Sequence, residues 1–177
     1  MNITQTARRT VLLMLCVALS SCAVASKLKF WDKGYEFETG EFKVTELRRA
    51  LLCGTPAEQS EVQLFDSVQA LKDWDVNNKL QLDRITLPDD KSFVLLEQGR
   101  RQTGGYTVEL RKTGTVNEAG VLQLKADWLE PGPDRIVTQI ITSLCVLATV
   151  EAQPYTRVEV MDGSGELRVA REITRED

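Results

Sequence analysis

Histidine is missing from the 177 residues, and four cysteines are present, Cys16, Cys22, Cys53 and Cys145. Without histidine there is no Ser-His-Asp triad, no Cys-His pair and no His-ligated zinc. Acid–base work near neutral pH then falls to lysines, or to carboxylates such as Glu97, Glu109 or Asp127, with a shifted pKa. The spacing of those three carboxylates is that of strand solvent faces rather than of a paired site. The sequence therefore predicts no catalytic residue, no metal ligand and no cofactor, and the protein is read as a non-enzyme. The cysteines carry the remaining chemistry, because a thiol can be acylated or oxidised to a disulfide.

The surroundings of Cys22 favour acylation. Arg8-Arg9 precede an apolar run from Val11 to Leu19, which is followed by Ser20, Ser21 and Cys22. A positive start, a short apolar stretch and small residues before a cleavage point are the parts of an export signal. The run is too short to cross a bilayer, which takes about 20 residues. Leu19-Ser20-Ser21-Cys22 resembles the lipobox of bacterial lipoproteins. That resemblance implies cleavage before Cys22, a diacylglyceryl group on its sulfur and a fatty acyl chain such as palmitate on its amine. Stable anchoring takes about two chains, so a lipidated Cys22 would hold the protein on a membrane. Ala23 follows, where lipoproteins kept at the inner membrane often have aspartate, so the resemblance implies the outer membrane, facing the periplasm. The alternative remains open: Ala23-Val24-Ala25 fits an ordinary signal-peptidase site, which would release a soluble product.

With Cys16 in the leader and Cys22 lipidated, Cys53 and Cys145 form an even pair in an oxidising compartment, which predicts a disulfide. Two buried free thiols are the other reading. The net charge of −4 becomes −6 once Arg8 and Arg9 leave with the leader. A mildly acidic protein is poorly suited to nucleic acid or to electrostatic docking on anionic lipid. About 155 mature residues are enough for one domain with a real core. The expected layout is a signal peptide over 1–21, a lipidated tether over 22–40 and a β-rich globular domain over 41–177. Phe30, Trp31, Tyr35 and Phe37 are many aromatics for a tether, and they either pack on the domain or sit in the lipid interface.

Strand signals dominate the rest. Phe42-Lys43-Val44 opens the domain, and the stretch from Leu47 to Cys53 reads equally as helix or strand. Glu61 to Phe65 alternates as a strand, and Asp66 or Ser67 caps a short helix reaching Trp74. Phe93 to Glu97 is a short apolar strand. Tyr106 to Arg111 alternates with Tyr106, Val108 and Leu110 inward, Thr113 to Gly120 reads as a turn, and Leu122 to Trp128 alternates again. Ile136 to Val150 is rich in β-branched residues and predicts strand broken near Ser143. Tyr155 to Val160, the turn Asp162-Gly163-Ser164-Gly165 and Leu167 to Val169 form a hairpin. The fold class is mainly β, with α+β as the alternative: a single antiparallel β-sandwich or barrel-like domain with one short helix.

One loop stands out for recognition. Gln98-Gly99-Arg100-Arg101-Gln102-Thr103-Gly104-Gly105 is polar and glycine-rich, and Tyr106 leads from it into a strand. Arg100, Arg101 and Gln102 offer donors, the paired glycines allow close approach of another chain, and Tyr106 is an anchor. Read purely structurally, Gly104-Gly105 makes a tight turn and Tyr106 belongs to the core.

This loop, the later Glu130-Pro131-Gly132-Pro133, then Val137-Thr138-Gln139, and finally Val158-Glu159-Val160 resemble, in order and spacing, the C-terminal domain of the protease complex subunit PrcB family, over about 93–160. The chain departs from that pattern at Ile140 to Leu144, where the family commonly has a proline. The resemblance implies a non-enzymatic lipoprotein subunit that associates with a secreted protease and supports its stability. The residue types of the loop, read beside that resemblance, make Arg100, Arg101, Thr103, Gly104, Gly105 and Tyr106 the candidate partner-binding loop. The loop also resembles the Thr-Thr-Gly-aromatic loop of chagasin-type cysteine-protease inhibitors, so direct inhibition is an alternative function. A structural envelope lipoprotein without a protease partner is another. No nucleic acid is expected as a partner, and the sequence does not set the oligomeric state.

Overall fold

A computed structural model describes residues 37–54, 57–78 and 80–174. The lipobox, Cys22 and most of the expected tether lie outside the described residues.

The chain forms two β-sheets. In sequence order the strands are β1 (Gly40–Lys43), β2 (Thr45–Ala50), β3 (Glu61–Phe65), β4 (Lys91–Glu97), β5 (Thr107–Val116), β6 (Val121–Leu129), β7 (Cys145–Glu151), β8 (Arg157–Met161) and β9 (Leu167–Glu172). One sheet has the order β1-β5-β6-β8-β9 and the other β2-β7-β4-β3. The chain passes from one sheet to the other at Val44, which is buried between β1 and β2. The domain is the mainly β, sandwich-like fold expected from the sequence. Among the described residues the strands pair antiparallel except β6 with β8, which run parallel. A parallel pair needs a long crossover, and the connection through β7 in the opposite sheet supplies it.

Two apolar clusters hold the sheets. The inter-sheet core includes Val94, Leu96, Val108, Leu122, Leu124, Val146, Ala148, Val158 and Val160. The second cluster lies on the other face of the four-stranded sheet and includes Phe93, Leu95, Cys145, Leu147, Leu71 and Leu80. β4 and β7 are therefore buried on both faces, which is why Phe93-Val94-Leu95-Leu96 reads as an unbroken apolar run rather than an alternation. Fully burying one such side chain is worth about 1.5–3 kcal/mol.

The outer cluster is roofed by helix α1 (Val68–Asn78). The Ser67 hydroxyl accepts from the Ala70 amide at 3.2 Å and caps its start. Leu71 is fully buried, and Trp74 packs on Phe65 with ring centroids 5.6 Å apart. The helix runs one turn past Trp74. Beyond it the Asp75 carboxylate accepts from the Leu80 and Leu82 amides and turns the chain into a short 3-10 turn, Leu82–Arg84.

Three expectations change. The ambiguous stretch after Val44 is a strand, β2. The predicted turn from Thr113 is strand up to Val116, with a bulge between Leu110 and Gly114. Gly114 lies in a strand because a Cβ there would come within 2.7 Å of both the Phe42 ring and Leu124. From Ile136 to Ile141 there is no strand; isolated bridges at Thr142 and Ser143 precede β7. Phe37, inside the expected tether, packs against the inter-sheet core at Gly120. Among the described residues no helix is long and apolar enough to cross a membrane.

Candidate functional site

The glycine-rich loop joins β4 to β5, and so carries the chain from one sheet to the other at one end of the sandwich. It is clamped on both sides. On one side the Arg100 amide donates to the Ala57 carbonyl at 2.7 Å, and the Ser60 hydroxyl donates to the Gln98 carbonyl at 2.8 Å. Gly99 has φ +81°, and a Cβ there would stand 2.5 Å from the backbone of Gln59. Only glycine fits both the left-handed backbone and that contact.

On the other side lies the segment that leads into β7. The Arg101 amide donates to the Thr142 carbonyl at 2.8 Å, and the Thr142 amide returns the bond to the Arg101 carbonyl at 3.0 Å. The Thr142 hydroxyl donates to the Thr103 carbonyl at 3.1 Å, and the Gly104 amide to the Thr138 carbonyl at 2.9 Å. A Cβ on Gly104 would meet the Thr138 hydroxyl, and one on Gly105 would meet Val137 and Pro131.

These contacts place each residue of the predicted loop. Arg100 is exposed and pairs with Glu58 at 3.3 Å. A pair this exposed adds about 1 kcal/mol at most. Arg101 lies over the Tyr106 ring, 5.5 Å from its centroid, a cation–π contact that orients both side chains. Thr103 is half-buried and offers its carbonyl to Thr142, Gly104 is buried, Gly105 is exposed, and Tyr106 is half-buried. The exposed residues are thus Arg100, Gln102 and Gly105, Arg101 and Tyr106 are half-buried, and Thr103 and Gly104 bind the neighbouring segment. Sequence reasoning did not single out that segment, 131–142, as part of the site. Its signal was present in Pro131-Gly132 followed by Val137-Thr138-Gln139.

Cys53 and Cys145 are bridged, with Cα atoms 6.1 Å apart across a sequence separation of 92. The bridge ties the chain leaving β2 to the first residue of β7, just beyond the loop contact at Thr142. Both cysteines are buried.

The three carboxylates do not share one site. Glu109 and Asp127 stand opposite each other on β5 and β6, and Asp127 pairs with Arg111 at 2.6 Å. Glu97 belongs to the other sheet. It is buried rather than on the solvent face its spacing predicts, because β4 is covered on both sides, and it stands opposite Glu61 on β3 and Cys145 on β7. Loss of water around it, and secondarily the charge of Glu61, push its carboxyl up to about 7. Glu97 shares its face with Leu95 and Phe93, turned away from the inter-sheet core, so Glu109 and Asp127 lie across the sandwich and cannot complete a general acid–base pair with it.

What remains is a sandwich-like β domain with a glycine-rich loop of donors and one aromatic ring, braced by the segment that leads into β7. Residues 92–160 match the family described as PrcB C-terminal. The matched stretch runs from the start of β4 to the end of β8 and contains both the glycine-rich loop and its brace. No curated protein and no solved structure matches the chain.

Proposed function

We propose that the protein is a lipid-anchored accessory subunit of the bacterial cell envelope that binds an exported protease and stabilises it. The observation that carries this reading is the match to the PrcB C-terminal family across residues 92–160, which spans a loop braced on both sides and exposed at Arg100, Gln102 and Gly105. The lipobox-like Leu19-Ser20-Ser21-Cys22 supplies the anchor, with acyl chains on Cys22 and the outer membrane, facing the periplasm, as its site. Residues 1–21 serve as the signal peptide, and a short tether follows before the globular domain.

The test uses the full chain in a bacterial host. Labelling with a palmitate analogue marks the wild type, and Cys22→Ala loses both the label and membrane attachment. A protease then co-purifies with the wild type in active form and has a shorter half-life when the subunit is deleted. A labelled, membrane-bound Cys22→Ala protein would refute the anchor. Loss of protease activity on stoichiometric addition of the purified domain would replace stabilisation with inhibition.

A further inference from the structure

The sequence from Ile136 to Ile141, Ile-Val-Thr-Gln-Ile-Ile, has strong strand propensity, yet it joins neither sheet. Its ends are fixed. The Arg135 amide donates to the Gly132 carbonyl at 3.1 Å, and Thr142 exchanges both backbone bonds with Arg101. Its middle is fixed on one side only, where the Thr138 carbonyl accepts from Gly104 and Val137 packs on Gly105. Among the described residues, no backbone N–H from Ile136 to Ile141 donates to a backbone carbonyl. Ile136 is fully exposed, and Ile140 and Ile141 are 54% and 47% exposed. Leu51 and Leu52, 62% and 49% exposed, adjoin them, because the Ser143 amide donates to the Leu51 carbonyl.

We propose that 136–141 is a strand-pairing surface that takes an extended, apolar segment of a partner polypeptide with a carboxylate near each end. Three features select that occupant. Backbone donors without a backbone partner, and carbonyls other than those of Val137 and Thr138, along a β-branched stretch are the template on which an added strand forms. The isoleucines, with Leu51 and Leu52, offer side-chain contacts to an apolar strand. Arg135 precedes one end of the stretch and Arg101 is bonded to the other, so acidic residues at the two ends of the incoming segment complement the charges. The glycine-rich loop holds the stretch in place before binding, which lowers the ordering cost of pairing. This deepens the proposed function and rests on its premise that the protein binds another polypeptide.

The test uses the purified domain with its disulfide intact and the blocked peptide Glu-Val-Thr-Val-Thr-Val-Glu. The peptide binds with a Kd below about 1 mM. Amide exchange slows from Ile136 to Ile141 and is unchanged in β6. N-methylation of the central peptide amides weakens binding at least tenfold, and so does Ile140→Lys, with no change in thermal midpoint. Absence of binding, or equal binding of the N-methylated peptide, overturns the proposal. Protection of the same amides without peptide, together with a dimer in sedimentation, makes a second copy the occupant and also overturns it. A protease that co-purifies equally well with the Ile140→Lys protein refutes this surface and leaves the proposed function standing. Peptide binding without any associated protease does the reverse.

Discussion

Glu97 makes the stability of the domain depend on pH in an unusual direction. It ends β4, only 4% exposed, with Glu61 opposite on the edge strand and the disulfide cysteine Cys145 on its other flank. In the fold its carboxyl is pushed up to about 7, against an ordinary value of 4.5 once the chain unfolds. The folded state therefore holds this proton more tightly than the unfolded state does. Its contribution is fully present below about pH 4.5, declines as pH rises, and is lost above about pH 7, where the carboxyl is ionised in both states. At about 1.4 kcal/mol per tenfold change in proton affinity, the loss is on the order of 3 kcal/mol. Glu97→Gln keeps the shape of the neutral acid and removes the charge. The variant should match the wild type at about pH 4 and exceed it by roughly 2–3 kcal/mol at about pH 8, a rise in melting temperature of about 6–10 °C for a domain of this size. Urea unfolding of both proteins at the two pH values, under non-reducing conditions, measures this difference directly. Equal stabilisation at both pH values would mean that packing and not ionisation is responsible. No stabilisation at about pH 8 would mean that the carboxylate is better solvated or better paired than its surroundings indicate. Glu61→Gln should move the same transition by a smaller amount, since the Glu61 charge is the lesser cause.

Other outcomes follow from single contacts. Reducing the Cys53–Cys145 bridge opens a loop closed across 92 residues and should cost about 4–5 kcal/mol by the chain-entropy model, read as a lower urea midpoint in reductant. Gly99→Ala forces a left-handed backbone on a residue with a Cβ and drives that Cβ into Gln59; it should destabilise by at least about 2 kcal/mol and speed amide exchange at Arg100. Ser67→Ala removes the cap of α1 and should cost about 1 kcal/mol in urea unfolding, with the thiol count unchanged. Gly105→Val meets Val137 and Pro131 and should displace the 131–142 segment, reducing partner binding more than stability; unchanged binding by a folded variant would move the contact surface elsewhere.

The fold was legible wherever one physical cause acted alone. The alternation of Leu122, Leu124 and Ala126 reports a strand with one buried face, and that is β6. The Asp162 to Gly165 turn is readable because its chemistry is local: the Asp162 carboxylate accepts from the Ser164 and Glu166 amides, and Gly165 takes φ +87°. Misreadings arose where a distant group overrode the local signal. Gly114 looks like a turn residue until Phe42, brought alongside by β1, leaves no room for a side chain. The Ile136 stretch looks like a strand because propensity ignores whether a neighbouring edge is available. At the site, the glycines and arginines could be singled out from their types. That Gly104 faces inward onto Thr138 could not, because the brace lies more than 30 positions downstream in the chain.

The sheet order gives a reason for the site to lie where it does. Residues 92–160 form β4 to β8, so every internal strand of both sheets, β5, β6 and β8 in one and β4 and β7 in the other, falls within the family match. The four edge strands β1, β2, β3 and β9 all lie outside it, as does α1. Interior strands are paired on two sides, and β4 and β7 are in addition buried on two faces, so they are the parts that open least often. The glycine-rich loop leaves β4, and the 131–142 segment enters β7, directly beside it. Both halves of the site are thus hung from adjacent central strands, with the Cys53–Cys145 bridge anchoring the start of β7 to the edge strand next to it. Edge strands and helix can then vary in length or sequence without changing the spacing between the two loops, whereas a change in β4–β7 register by one residue would turn Glu97 into the core and separate Arg101 from Thr142.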